Sequence, residues 1–266
     1  MFDSSPLHSE RPPAAAAWRD LLPLSHRETI KEVLLPLPWL VGSLAFAGLG
    51  LYFLALALSF LFFLTGLRVN HGGCHYSVGL SRRHTDILLL WLSVLMLGSM
   101  HAVQWNHLRH HRYCLADDDI EAMGARHSAM GAILLGPWFP LRLHIAALRG
   151  ANRAGQWWIT AELMANLFWL PLVIGPFATS IPRYHVLTML AGQSLTAFFA
   201  VWTVHHGCKP GVIARTIRSR LRSAITFDMF YHLEHHRYPM VPTAHLHLLA
   251  ARIDAAEPGM RRLLVW

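Results

Sequence analysis

Charge is scarce in this chain of 266 residues: 14% are Asp, Glu, Lys or Arg, while 54% are hydrophobic. Ordinary soluble domains carry roughly a quarter of their residues charged, so the deficit points to contact with lipid. Cysteine is sparse too. Cys74, Cys114 and Cys208 stand far apart and form no C-x-x-C pair, which excludes a disulfide framework or a cysteine zinc site and suits a reducing compartment. The N-terminal stretch lacks the charged start, apolar middle and small-residue cleavage site of a secretory signal. Residues 1–32, rich in Pro and Ala, read as a loose arm leading to a short interfacial helix around residues 18–31. Acid is scarcer than base, with a net charge of +8. No basic–aromatic stripe or reading motif accompanies that excess, so nucleic acid is not expected and anionic lipid headgroups are the better partner.

Long apolar runs and histidine are what the chain has in plenty. Val33 to Leu67 carries no charge. As one helix it would rise roughly 50 Å, far beyond a hydrocarbon core of about 30 Å. Gly48 and Gly50 offer a turn, so two spans are expected, over residues 33–48 and 50–68. Ile87 to Met100 is too short for a crossing and is placed half-sunk or re-entrant. Met130 to Leu148 mixes Pro137, Pro140, Arg142 and His144 with apolar positions, which suits an interfacial amphipathic helix. Trp157–Ala178 and His185–Val204 are the third and fourth expected spans, with Trp157 and Trp158 in the interface belt.

Charge tests this topology. Of 23 lysines and arginines, only Arg183 falls between the third and fourth spans; the others lie before the first, between the second and third, or after the fourth. The bias predicts both termini cytoplasmic. The histidines obey the same parity. His71 and His75 follow the second span; His107, His110 and His111 precede the third; His232, His235 and His236 follow the fourth. An even number of crossings separates every pair, so all three groups face one side.

Residues three and four apart share a helix face, so each His-x-x-His-His group can converge on one point. A tetrahedral zinc takes at most four protein ligands, and eight imidazoles therefore fit two metals better than one. Imidazole suits iron, zinc, copper or nickel, so the spacing by itself names no metal. The competing functional classes are a metal transporter and a zinc hydrolase. A transporter should hold its ligands near the bilayer midplane rather than at the ends of spans, and a hydrolase needs far fewer histidines.

The three groups resemble the histidine boxes of the membrane fatty acid desaturase superfamily. Flanking residues share the resemblance: His107-Leu-Arg-His-His-Arg-Tyr-Cys-Leu-Ala-Asp-Asp-Asp with its acidic turn, and Tyr231-His-Leu-Glu-His-His-Arg-Tyr-Pro-Met-Val-Pro242 with its prolines. It covers roughly residues 33–250, between the N-terminal arm and a tail over 251–266. It implies an all-α integral membrane fold, with four transmembrane helices under a cytosolic helical cap carrying the boxes. It further implies two Fe ions held almost wholly by imidazoles, O2 as co-substrate, a lipid substrate, and electrons from a separate ferredoxin-like or cytochrome-like donor. The reaction implied is desaturation of an acyl chain, or hydroxylation, ketolation or decarboxylation by a relative. A ninth histidine is implied at the end of the fourth span, where His205 and His206 stand; His206 is favoured as the ligand and His205 as its neighbour.

Further candidates surround the boxes. Asp117, Asp118 and Asp119, Asp118 foremost, are candidates to accept imidazole N–H bonds and fix tautomers, with a solvated acidic turn or a helix cap the competing reading, and Asp228, one turn before His232, is a candidate to orient that ring. Asn70 and Asn106 precede box histidines and can position ligands or water; His101 is a more remote supporting candidate. Glu234 points off the ligand face, toward solvent or a salt bridge, and Cys74 is read as a small filler. Gly72 and Gly73 weaken a helix, so the first box is expected on a distorted turn. Trp91, Trp105, Phe168 and Trp169 are candidate channel residues, with plain packing the competing reading.

Overall fold

The structure is a computed structural model that describes residues 17–209 and 211–265. The first sixteen residues of the expected N-terminal arm lie outside the described residues. Ser25 opens helix α1 (His26–Leu34) with a capping box: its hydroxyl accepts from Glu28 N, and the Glu28 carboxylate accepts from Ser25 N at 2.8 Å. Pro36 separates α1 from α2 (Leu37–Gly48), which carries Pro38 in its first turn. The chain then reverses through Gly50, whose φ of +73° suits glycine, into α3 (Tyr52–Cys74). The hairpin expected from the glycines is therefore present. Ser43 and Ser59 meet across it at 2.7 Å, the polar glue that apolar helices use where burial alone supplies no attraction.

Past α3 the chain turns back through Tyr76 (φ 55°), and Ser81 caps α4 (Arg82–Met96). α4 runs antiparallel to α3, with Leu89 and Thr85 against Gly73 and Met96 against Gly66. At Leu97 (φ 58°) the chain bends by 111° into α5 (Met100–Tyr113), capped by Ser99. Its His107 ring lies 4.7 Å from that of His71, so α5 returns to the end α4 left. Residues 82–113 thus fold into a V whose two ends share the histidine end, the re-entrant of the two courses expected for residues 87–100. The bend is held by Glu162, which is fully buried and accepts from Ser99 Oγ at 2.5 Å and His101 N at 3.1 Å.

Among the described residues, four stretches are long and apolar enough to cross a membrane: His26–Gly48, Tyr52–Cys74, Ala129–Gly150 and Ser180–His205. The third is not the stretch picked from the sequence. Residues 129–150, read there as interfacial, form α6 (Ala129–Leu135) and α7 (Phe139–Gly150) joined by a single 3-10 turn. Residues 157–178, read there as a span, are broken at Asn166 into α8 (Arg153–Ala165) and α9 (Trp169–Val173). Contacts give the course of each. Just before α6, His127 O accepts from Trp202 Nε1, three residues short of His205, while Gly150 at the end of α7 packs on Trp105, two residues short of His107. Both ends of residues 129–150 therefore lie at the histidine end. Arg153–Val173 runs away from it: Trp158 stacks on His101 at 4.8 Å, Asn166 donates to Gly98 O, Trp169 to Val94 O, and Val173 O accepts from Arg183. At that far end Tyr184 joins the Ser43–Ser59 pair. α10 (Ser180–Thr196) then climbs back, passes a π-helical turn at Ala197–Trp202 and closes with α11 (Thr203–His205).

The remaining chain packs over the histidine end. Strand β1 (Arg215–Thr216), α12 (Arg220–Ile225), α13 (His232–Arg237) and α14 (Leu246–Ala256) lead to β2 (Leu263–Leu264), which pairs in parallel with β1. Their core of Ile217, Phe230, Leu246, Leu249 and Ile253 also takes in Leu21 from the N-terminal side.

Candidate metal centre

Three elements and one helix end deliver the histidines. α3 brings His71 on its last turn and His75 as the residue just past it. α5 brings His107, His110 and His111, α11 brings His205, and α13 brings His232, His235 and His236. The glycines of the first box do not distort it, contrary to expectation: α3 stays helical through Cys74. They admit neighbours instead, since a Cβ at Gly72 would sit 2.9 Å from Val78 and one at Gly73 2.8 Å from Leu89.

The rings face two foci. Ligating nitrogens of His71, His75, His107 and His235 all lie within 4.8 Å of one another. His111 joins this group, its Nε2 being 3.1 Å from that of His107 and 2.8 Å from that of His235. The second focus is a closed circuit of Nε2 atoms: His110 to His205 3.0 Å, His205 to His232 2.9 Å, His232 to His236 3.1 Å, and His236 to His110 3.3 Å. With metal–nitrogen bonds of about 2.0–2.1 Å, donors on one ion sit roughly 3 Å apart, so this circuit has the dimensions of a coordination shell. In the first focus, Nε2 of His71 and of His75 are buried without a hydrogen-bond partner. Buried polar atoms are rarely left so, and a metal ion held here would satisfy both.

Groups behind the rings fix which nitrogen faces inward. His107 Nδ1 is 2.8 Å from Glu121 Oε1, His110 Nδ1 is 2.7 Å from Asp119 Oδ2, and His205 Nδ1 is 2.8 Å from Ile213 O. Each partner accepts a hydrogen bond from Nδ1–H, the tautomer that leaves Nε2 as a lone-pair donor. On α13, burial first, and then the positive charge that neighbouring rings would carry, hold His232, His235 and His236 well below their ordinary pKa, hence neutral. α13 is braced from behind: Glu234, fully buried, is gripped by Arg218 and Thr216, each at 2.5 Å. Of the two destinations expected for Glu234, the salt bridge is the one found. Arg68, three residues before His71, pairs with Glu32 and donates to Phe227 O, tying α1 and α3 to the loop ahead of the third box.

Several expected positions are corrected. The structure brings His205 into the cluster and leaves His206 outside, stacked on Trp202 at 3.8 Å with Nδ1 bonded to Trp202 O. The π-helical turn just before it inserts an extra residue and so rotates the rest of the helix by about 100°. Of the three candidate aspartates, Asp118, the one placed foremost, is exposed and pairs with Arg109, while Asp119 is the carboxylate on a histidine. Glu121 was missed altogether, its only sequence signal being membership of the acidic stretch after the second box. Asp228 does not touch His232; it accepts from Ser223 Oγ at 2.6 Å and lies 3.9 Å from Arg68. Asn106 donates to Ala102 O and Leu143 O, anchoring α5 to α7. His101 belongs to the Glu162 group at the re-entrant bend, 2.6 Å from that carboxylate.

A cleft of about 920 Å³, counted with its open mouth, leads away from the histidines. His71, His107 and His232 line one end, and Met100, Phe139 and Leu143 are among its apolar walls. None of the four candidate channel aromatics lines it. Trp91 and Phe168 are exposed, Trp169 hydrogen-bonds to Val94 O, and Trp105 lies under Arg109.

In comparison with known proteins, the family model described as Fatty acid desaturase matches residues 33–266. No curated protein matches the chain at a significant level.

Proposed function

Since the chain belongs to the fatty acid desaturase family, we propose that it is a membrane-bound, O2-dependent di-iron oxidoreductase that desaturates a fatty acyl chain or a related aliphatic lipid. The observation that carries this reading is the junction of inward-facing imidazoles with an apolar cleft. His71, His75, His107, His111 and His235 would hold one iron, and His110, His205, His232 and His236 the other. The two irons, when bound, supply the oxidising chemistry that an unactivated C–H bond requires and that redox-inert zinc cannot give. Glu121 and Asp119 accept from Nδ1 of His107 and His110 and so turn the Nε2 atoms toward the ions, and the apolar walls of the cleft hold the chain and exclude water. Electrons come from a separate ferredoxin-like or cytochrome-like carrier. The cationic bias of the sequence supports a cytoplasmic metal centre with both termini on the same side.

A hydroxylase or ketolase is the second reading, favoured by one observation: beside the histidines the cleft carries Asn70 and Glu121 rather than apolar groups alone. Metal transport is disfavoured because the histidines gather at the ends of the helices. The test is expression with an electron donor, followed by lipid extraction and mass spectrometry, with metal analysis of the purified protein. A new double bond and two tightly held irons per chain are expected. Exchangeable zinc and unaltered lipids would defeat the proposal.

A further inference from the structure

We infer that the cleft wall beside the histidines is a seat for a hydroxyl group. The Asn70 carboxamide and the free oxygen of Glu121 would together hold an O–H, carried by an aliphatic chain or by a water molecule. The inference rests on the lipid-oxidation reading above and adds the chemistry of the ligand next to the metals.

Leu67, Asn70 and Cys74 form one stripe of α3, at i, i+3 and i+7, and all three line the cleft. Asn70 is 2% exposed, and its Oδ1 is buried with no hydrogen-bond partner. Two other asparagines behave differently. Asn106, buried, and Asn166, half-buried and likewise with an unpartnered Oδ1, each spend Nδ2 on two backbone carbonyls and so serve as anchors; no such bond holds Asn70 among the described residues. Glu121 lines the same cleft. Its Oε1 is taken by His107, while its Oε2 is buried without a partner.

A carboxylate oxygen only accepts hydrogen bonds, whereas a carboxamide both accepts and donates. The group that complements the two is itself donor and acceptor, which describes a hydroxyl or a water. An anion would be repelled by Glu121, and an ammonium by the metal charges next to it. A plain methylene chain drawn past this wall would leave both groups unsatisfied, an unfavourable state for buried polar atoms. The apolar remainder of the cleft, with Met100, Val103 and Leu143, suits the rest of an aliphatic chain.

The experiment measures binding of a matched pair of long-chain fatty acids, one saturated and one with a mid-chain hydroxyl, to the purified full chain loaded with iron and kept anaerobic. Wild type is compared with Asn70→Leu, and with Asn70→Ala should the leucine variant fail to fold; iron content is measured in each. For a hydroxyl on the chain, wild type should bind the hydroxylated acid about tenfold more tightly, or about 1.4 kcal/mol, and the variant should lose that preference. For a water, wild type should bind both acids equally, and the variant should bind the saturated acid several-fold more tightly. Equal binding of both acids by both proteins overturns the inference, and so does a preference that survives in the variant. Wild-type protein that holds no iron would instead overturn the di-iron reading, a failure that metal analysis separates from a failed binding preference.

Discussion

Two adjacent histidines, His205 and His206, differ in fate because one ring enters the second Nε2 circuit and the other stacks on Trp202. His205→Ala should therefore lose about one of two irons per chain, whereas His206→Ala should keep both; elemental analysis of the purified variants checks this, and the reverse order would break the assignment. A second outcome at this scale concerns acid. In the folded chain His232, His235 and His236 are held neutral, chiefly by burial, while an unfolded histidine takes a proton below about pH 6.5. Unfolding then binds protons. The stability of the metal-free protein should be intact above about pH 6.5 and fall as pH drops from there toward the lowered folded values. Thermal unfolding followed across that range should show a flat melting temperature on the alkaline side and a decline on the acid side. A melting temperature that rises on acidification would contradict the burial of neutral rings.

Between elements, close approach sets the position of the site. A Cβ at Gly136 would collide with the backbone carbonyl of Ser194, and one at Gly124 would lie 2.5 Å from that of Ala197. Backbone cannot yield as the tip of a flexible side chain can. Gly136→Ala should thus force the α6–α7 segment off α10 and destabilise the protein by about 1–3 kcal/mol. Gly42→Ala meets only a Leu58 methyl at 3.0 Å and should be tolerated far better. Thermal unfolding in detergent compares the two; equal losses would argue against this packing. The same scale explains why the third crossing was hard to judge. Residues 129–150 pass on length and apolarity, yet both ends return to the histidine end. The more polar Arg153–Val173 travels the full depth, because Glu162 and Asn166 find partners at the re-entrant bend. Composition counts a polar residue as a penalty and takes no account of the partner that removes it.

Across the whole molecule, Gly48 packs on Ile181, so the tips at Gly50 and Thr179 lie together at the end opposite the histidines, while Lys209, four residues past His205, lies at the histidine end. Single cysteines placed at these positions in a cysteine-free background should be labelled by a membrane-impermeant reagent from opposite faces, with the tips on the outer face; labelling of all three from one face would refute the topology. Much of this was legible beforehand. The apolar run broken at Gly48 and Gly50 gave the hairpin, the one-sided cations gave the orientation now proposed, and the three boxes gave eight of the nine clustered imidazoles, because helical spacing alone puts those rings on shared faces. The sequence by itself determined the helical, membrane-suited architecture and the histidine-rich character of the candidate centre, since hydropathy and i, i+3, i+4 spacing are local properties. Tertiary structure decided the rest: that His205 rather than His206 enters the cluster, that Glu121 and Asp119 stand behind the rings, and that Asn70 faces the cleft unpaired. Those outcomes depend on a π-helical turn, a loop and a re-entrant bend, each of which rotates side chains by amounts that only packing against distant parts of the chain sets.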